Sequence, residues 1–487
     1  MTTISQISWI NLSKQVNKVL PKSYFEDTLT RGVAYGTAQH VLKNNFTLLK
    51  LPVGYGKTVI SMQVAQAISN LHGKSLQIMV IAPKAKRLDK SFHEAIKSTR
   101  NYFGADLQVL PINGEEIGTF AGLNVMATKK PKMWKTFLNA LYEKPTLLIL
   151  DETHMMIRNA TSKASRLLRK IQKQVSKHDS SIKILGLTAT PFDTSVIDAI
   201  GYLVLNGNYH SRTAFYNKEV VGYSTAHVRG LNQRDIEAAI VDKEYNIHQE
   251  MFFNYQHVID QLKKIIYEPD APITFHIPSN EFSTRKVELS KESIKRLKRV
   301  ERMDRERAYT DAMTKAEDYT AAITTDSAML HEVLDIVQQK GNQQSLIFYQ
   351  RNVTLNALRK AFEDAKIKHL EINGHLQSFF ELDDAKSPVF VQYLSGAAAF
   401  ESKASNNSIY LDLPSSAIMF DQSLGRNARR GQKVTSVMNY ILTPTRNNRE
   451  VAYFKDNYDQ IVNKTRGNRS FEQLFATPWG EYGEDQI

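Results

Sequence analysis

The chain has 487 residues, enough for two or three domains that each bury a core. Its 63 Lys and Arg against 50 Asp and Glu leave a formal charge of +13 and a pI near 9.4, a balance that favours a polyanionic partner such as nucleic acid and is also met in ordinary basic soluble proteins. There is no cysteine, which excludes disulfides, thiolate metal sites and a cysteine nucleophile.

The opening residues show no basic stretch ahead of an apolar one. No apolar run approaches the ~20 residues of a membrane helix. A soluble intracellular protein is therefore expected, cytoplasmic or nucleoid-associated, with no membrane partner; its compact size suggests a phage, viral or mobile-element source.

In chain order, short apolar runs ending in Gly, Pro or acidic residues alternate with helix-like segments. FTLLKLP, SLQIMVIAP, PTLLILDE and IKILGLTATP form a first block from about Leu29 to Leu205; QSLIFY and SPVFVQYLSG form a second from about Ser345 to Thr443. Strands alternating with amphipathic helices predict an α/β fold built on parallel sheets covered on both faces. Between the blocks lies a polar, helix-rich stretch with the charge-dense run KESIKRLKRVERMDRERAY.

The segment LLKLPVGYGKTVISMQVAQAI reads as strand, glycine turn and helix. Gly54 and Gly56, with Tyr55 between them, let backbone N–H groups face a phosphate at a helix start. Lys57 would reach the β- and γ-phosphates of ATP, and Thr58 would offer its hydroxyl to Mg²⁺. Leu51 stands where the strict Walker A pattern has its first glycine, so the turn needs support from elsewhere. It comes from Leu147–Leu150, an apolar run ending in Asp151-Glu152-Thr153-His154. Two carboxylates at a strand's C-terminal end lie where open α/β sheets gather ligands. Asp151 suits the metal and Glu152 suits polarising a water.

With these residues in place, the chain resembles superfamily-2 helicases, and more narrowly the Swi/Snf-type DNA-translocating ATPases. DETHMMIRNATSKASRLLRKI resembles that family's DEAH box and the segment after it, with Ile157, Arg158, Asn159 and Ser162 at matching places. GLTATPFDTSVIDAIGYLVLNG is similar to its L-T-G-T-P motif, Ala189 replacing the glycine. QSLGRNARRGQKVTSVMNYIL matches its Q-x-x-G-R-x-x-R-x-G-Q motif through Gln422, Gly425, Arg426, Arg429, Gly431 and Gln432.

The resemblance implies two RecA-like lobes that hydrolyse ATP at their interface. Gln422, Arg426 and Arg429 would be catalytic residues from the second lobe, with Arg429 as arginine finger. His154, Thr188 and Thr190 would couple hydrolysis to movement. Lys84 (motif Ia) and Thr128 (motif Ib) would contact nucleic acid. Gln39 reads either as an adenine contact or as a surface-helix glutamine. In GAAAFESKASNNSIYLDLP the place of motif V is recognisable, but its second glycine is missing, leaving Gly396 and Ser402 as candidate contacts.

In the basic stretch, Leu289, Ile294, Leu297 and Val300 fall near a helical period. Lys295 and Arg299 lie on the other faces. The position of the stretch resembles the helical protrusion in the second lobe of remodelling ATPases, which would let it brace a duplex; a solvated, salt-bridged helix is the equal alternative. The expected organisation is an N-terminal extension (1–28), lobe 1 (29–265, with a helical insertion at about 206–265), lobe 2 (266–450, with a basic helical protrusion at about 288–340) and a tail (451–487). The function implied is ATP-driven movement on nucleic acid, double-stranded DNA above all, with room for protein partners in a larger complex. A strand-separating DNA or RNA helicase and an ATP-switch subunit of a transcription, packaging or restriction complex are the alternatives.

Overall fold

A computed structural model describes most of residues 28–458. The ends (1–17, 20–27 and 459–487) and the stretches 53–54, 73–75, 84–90, 104–106, 158–159, 179, 190, 192–198, 222–251, 254, 270–276, 310–311, 342–343, 374–386, 394–401, 403–404, 415–416 and 429–431 lie outside the description. The chain divides between Thr274 and Phe275 into two compact units.

The first unit is built on β1 (Phe46–Lys50), β2 (Leu76–Ile81), β3 (Leu107–Val109), β4 (Ile117–Gly118), β5 (Thr146–Leu150) and β6 (Ile182–Thr188). A hairpin-like pair, β7 (Val220–Val221) and β8 (Phe252–Phe253), is separate from the sheet, and β9 (Ile266–Tyr267) returns to it. The strand order is β3-β2-β5-β6-β1-β9, with β4 beside the end of β2, and every pairing is parallel. All five residues of β5 are buried, as a parallel strand covered on both faces requires.

The helices supply that cover. In Lys163–Val175, Leu168, Ile171 and Val175 recur at helical spacing and join the core. Ser162 caps this helix by accepting the Ser165 N–H at 3.0 Å, so the serine picked out in the sequence is a helix cap here. The helix Ile200–Asn206 ends at Gly207, whose φ of 91° is the left-handed conformation that glycine adopts without a Cβ penalty.

The second unit holds β10 (Ser279–Glu288), β11 (Ser345–Tyr349), β12 (Leu370–Ile372), β13 (Val389–Gln392), β14 (Asn407–Tyr410) and β15 (Ser436–Arg446), in the order β10-β15-β14-β11-β13-β12 and all parallel. The short β16 (Arg449–Glu450) adds to β15 antiparallel. The α/β class and the two mostly parallel sheets are those expected.

Two boundaries differ from expectation. The first sheet reaches past residue 265, because β9 pairs with β1 through Leu48↔Ile266 and Leu49↔Tyr267. The second sheet begins at β10, inside the expected lobe 2 (266–450) and ahead of the strand block read from about Ser345; β10 is mostly exposed and so carries no apolar run. The proposed tail begins inside the second unit: Val451 and Phe454 are core residues, and Tyr453 stacks on Tyr319 at 4.3 Å.

The expected protrusion at 288–340 is also corrected. It forms three helices, Lys291–Arg305, Ala312–Thr324 and Ser327–Gln339, whose Leu297, Val300, Ile323, Met329, Val333 and Ile336 belong to the same core as the sheet. Truncating such a buried side chain to alanine costs about 2–5 kcal/mol, which holds these helices to the body of the unit. Of the expected insertion at 206–265, the helices Arg212–Glu219 and Tyr255–Ile265 likewise pack into the first unit's core through Phe215, Tyr216, Leu262 and Ile265.

Candidate nucleotide site

The central strands of the first sheet end together. Lys50 pairs with Thr188, and Leu150 pairs with Gly186, so the segments following β1, β5 and β6 leave from one edge. Further backbone bonds hold them there. Leu51 donates to the Thr188 carbonyl at 3.1 Å, Asp151 to Ile81 at 2.9 Å and Thr153 to Leu187 at 3.1 Å.

After β1 the chain turns at Gly56, whose φ of 78° is the reason for a glycine at that position, and enters the helix Lys57–His72. Lys57 is the first helical residue. Its Nζ donates to the carbonyls of Leu51 and Pro52, both at 3.1 Å, which folds the ammonium back over the turn. Thr58 is half-buried beside it in sequence, and Tyr55 is buried. A turn ending in a helix N-terminus, with a lysine lying over it, suits an anionic phosphate chain.

After β5, Asp151 is buried and Glu152 has a φ of 47°. This left-handed conformation costs a residue with a Cβ about 1–2 kcal/mol, and such strain collects where function requires an exact side-chain position. The residues on either side enforce it. Thr153 donates its hydroxyl to Leu150 at 2.8 Å, and its N–H is tied to β6. His154 Nδ1 lies 2.9 Å from Thr188 Oγ1 and 3.6 Å from Glu152 Oε2, so one buried imidazole stands between the acidic box and the end of β6.

Sequence reasoning missed Gly186. A Cβ there would fall 2.7 Å from Thr153 Oγ1 and 2.8 Å from Leu48 Cδ1, so glycine is what lets the acidic turn sit down on β6. Only the close approach marks it, and that approach has no signature in the sequence.

Of the other expected residues in this unit, Gln39 is exposed on the helix Thr28–Lys43, which packs against the helix Lys57–His72. Thr128 is exposed near the end of the helix Phe120–Lys129 and donates its hydroxyl to the Asn124 carbonyl at 2.8 Å. Gly54, Lys84, Arg158, Asn159 and Thr190 lie outside the described residues.

In the second unit, Gln422 and Arg426 are buried at the end of, and just after, the helix Ala417–Leu424. Asn427 donates to Ser408 Oγ at 3.0 Å, and Gln432 donates to the carbonyls of Ser405 at 2.7 Å and Asn427 at 3.2 Å. Gln432 thus ties the arginine segment to the start of β14. Ser402 belongs to the same knot. It is buried, it donates to the Gln344 side chain, and it accepts the Ser405 N–H at 3.2 Å. These bonds hold Ser402, a candidate contact, within the fold of the second unit. Arg429, Gly431 and Gly396 lie outside the described residues. Lys295 and Arg299 are both exposed on the helix Lys291–Arg305.

A parallel α/β sheet whose strand ends gather a glycine turn, a lysine at a helix start and an acidic pair with Glu152 in a left-handed conformation defines a nucleoside-triphosphate hydrolase. Residues 34–199 match the family model for the DEAD/DEAH box helicase, and the protein is an ATP-hydrolysing enzyme. No curated protein matches the chain. Among solved structures, the Sulfolobus solfataricus SWI2/SNF2 ATPase core in complex with dsDNA is similar over 85% of this chain and 87% of that one, at 13% identity and a TM-score of 0.33. Among the described residues, no helix is long and apolar enough to cross a membrane.

Proposed function

We propose that the protein is an ATP-dependent motor that moves along double-stranded DNA without separating its strands, as Swi/Snf-type translocases do. The observation that carries the ATP half of this reading is the shared edge of β1, β5 and β6, where Lys57, Glu152 and His154 belong to segments that leave the sheet side by side. The Q-x-x-G-R-x-x-R-x-G-Q match and the chain's excess positive charge support the nucleic-acid half.

The site fits ATP with Mg²⁺. The turn at Gly56 and the helix start present backbone donors, Lys57 adds a cation, and the buried carboxylate of Asp151 and the hydroxyl of Thr58 would supply the oxygen donors that a hard cation takes. Bound there, Mg²⁺ would supply charge neutralisation on the phosphate oxygens. In this reading Gly54, Tyr55, Gly56 and Lys57 grip the phosphates and Gln39 reads the adenine. Glu152 orients the attacking water and accepts its proton as the new bond to the γ-phosphorus forms and the bond from that phosphorus to the β,γ-bridging oxygen breaks, with ADP as the leaving group. Arg426 and Arg429 stabilise charge on the transferring γ-phosphoryl group, with Gln422 beside them in sequence. His154, Thr188 and Thr190 pass the state of the acidic box to the strand ends. Lys84, Thr128 and Gly396 contact nucleic-acid phosphates, which makes binding sequence-tolerant and salt-dependent.

The test is ATP turnover with blunt duplex DNA, single-stranded DNA and RNA, followed by displacement of a third strand from a triplex. Duplex stimulation with triplex displacement is expected. Stimulation by single strands with unwinding would instead make the protein a strand-separating helicase, and turnover indifferent to every nucleic acid would make it an ATP switch.

A further inference from the structure

The helix Lys291–Arg305 sorts its charges. At about 100° per residue, Lys291, Lys295, Lys298, Arg299, Arg302 and Arg305 fall within an arc of roughly 120°, and all six are exposed or half-exposed. The opposite arc carries Leu297 and Val300 into the core.

The helix's acidic residues are turned to other uses. Glu301 is held by Arg446 at 3.1 Å, Asp304 by Lys315 at 2.7 Å, and Glu292 by Arg296, which lies off the arc, at 2.5 Å. Within the arc, Arg302 reaches Glu306 only at 4.0 Å. Among the described residues, Lys291, Lys295, Lys298 and Arg299 form no ion pair.

A merely solvated helix interleaves its signs and gains about 0.2–0.5 kcal/mol from each i,i+4 pair. This one instead keeps like charges adjacent, at i,i+4 spacing, along about 20 Å of a rigid rod. The turn that ends the helix adds another cation: Arg307 has a φ of 52°, a conformation more often given to glycine or asparagine.

We propose that this face binds the phosphodiester backbone of duplex nucleic acid, as a gripping surface of the second unit separate from the residues assigned to motifs Ia, Ib and V. A straight, evenly spaced row of cations complements a polymer whose base pairing holds its phosphates in an equally stiff array. The proposal rests on the nucleic-acid reading above, and its test separates the two. The full chain is titrated with blunt duplex DNA and duplex RNA over a range of salt, and Lys295→Gln/Arg299→Gln is compared with Arg296→Gln.

Each phosphate that a cation neutralises steepens the fall of log K with log salt by about 0.9, so the double variant should flatten that slope by roughly 1.8. The off-arc Arg296→Gln should leave the slope as it was. Glutamine keeps helix propensity, thermal melting checks the fold, and Lys298→Gln/Arg305→Gln provides an independent second pair. Flattening on either duplex supports the face, and the duplex that shows it identifies the source of the backbone. Unchanged slopes in both double variants, with wild type still binding duplex, would overturn this inference and leave the motor reading standing. Failure of wild type to bind any duplex, with arc-dependent binding to phosphatidylserine vesicles in its place, would overturn both.

Discussion

The imidazole of His154 and the hydroxyl of Thr188 meet at 2.9 Å in the interior of the first unit, joining the acidic box after β5 to the last residue of β6. The same imidazole nitrogen lies 3.6 Å from Glu152, so in the proposed cycle a change at the carboxylate would have one ring to cross to the end of β6. Thr188→Val removes the hydroxyl while nearly preserving shape. It should lower nucleic-acid-stimulated turnover by about tenfold, the worth of one buried hydrogen bond, with ATP affinity little changed. Steady-state kinetics alongside nucleotide binding would show this; equal loss of both would mean that the bond serves only to hold the fold.

Glu152 sets chemistry against backbone comfort. Glu152→Gln should retain nucleotide binding and lose turnover by about 10²–10⁴-fold, the usual contribution of a positioned general base. Glu152→Gly should lose turnover as well, yet melt at a higher temperature, because relief of the left-handed strain is worth about 1 kcal/mol. A Gly variant less stable than wild type would show that the strain reading is mistaken.

Gly186→Ala places a methyl group against Thr153 and Leu48. Overpacking of this kind costs about 1–3 kcal/mol, so denaturant unfolding should report a lower midpoint. Since the displaced residue is Thr153, turnover should fall too. A fully active, fully stable Gly186→Ala protein would contradict this close packing.

Arg429→Ala should leave ATP affinity nearly intact and slow the chemical step by about 10³-fold or more, as expected for loss of an arginine finger. Single-turnover hydrolysis separates the two effects. Lys57→Ala, by contrast, should weaken nucleotide binding itself. Unaltered hydrolysis in Arg429→Ala would remove that residue from the reaction.

Asp412, just beyond β14, is a buried carboxyl with its own pH signature. Burial pushes its pKa up to about 7, against the partly compensating Gln350 N–H at 3.2 Å, the Thr354 hydroxyl at 3.4 Å and the nearby charge of Arg351. A carboxyl whose folded pKa is raised binds its proton more tightly in the native state. Its stabilising contribution is therefore present at acidic pH and disappears as pH rises through about 7. Asp412→Asn should flatten the dependence of thermal stability on pH between about 4 and 7 and raise the melting temperature at pH ~8. Identical pH profiles for variant and wild type would show that this carboxyl does not titrate there.

How much of this could be read from residues alone depended on burial. FTLLK, LQIMVI, TLLIL and SLIFY were legible because a parallel strand covered on both faces must be apolar throughout, whereas β10, an exposed edge strand reading SNEFSTRKVE, offers no such run. The two-residue β9 is too short to carry any periodicity, and its place beside β1 moved the unit boundary. The family resemblance implied that residues 288–340 stand away from the body; buried Leu297, Val300 and Ile323 place their helices in the core, and the charge on one helical face says nothing about the other.

By itself, the order of residues determined the chemistry available to this protein: a glycine turn followed by Lys57 and Thr58, an acidic pair after an apolar strand, and a spaced arginine motif. These are local patterns, set by what a phosphate, a metal and a water demand of neighbouring side chains. Tertiary structure decided which segments leave the sheet side by side, that Glu152 is held in a left-handed conformation, that Gly186 must lack a side chain and that His154 reaches Thr188. Each of those depends on strands far apart in the chain packing within van der Waals distance, and no local spacing encodes such an approach.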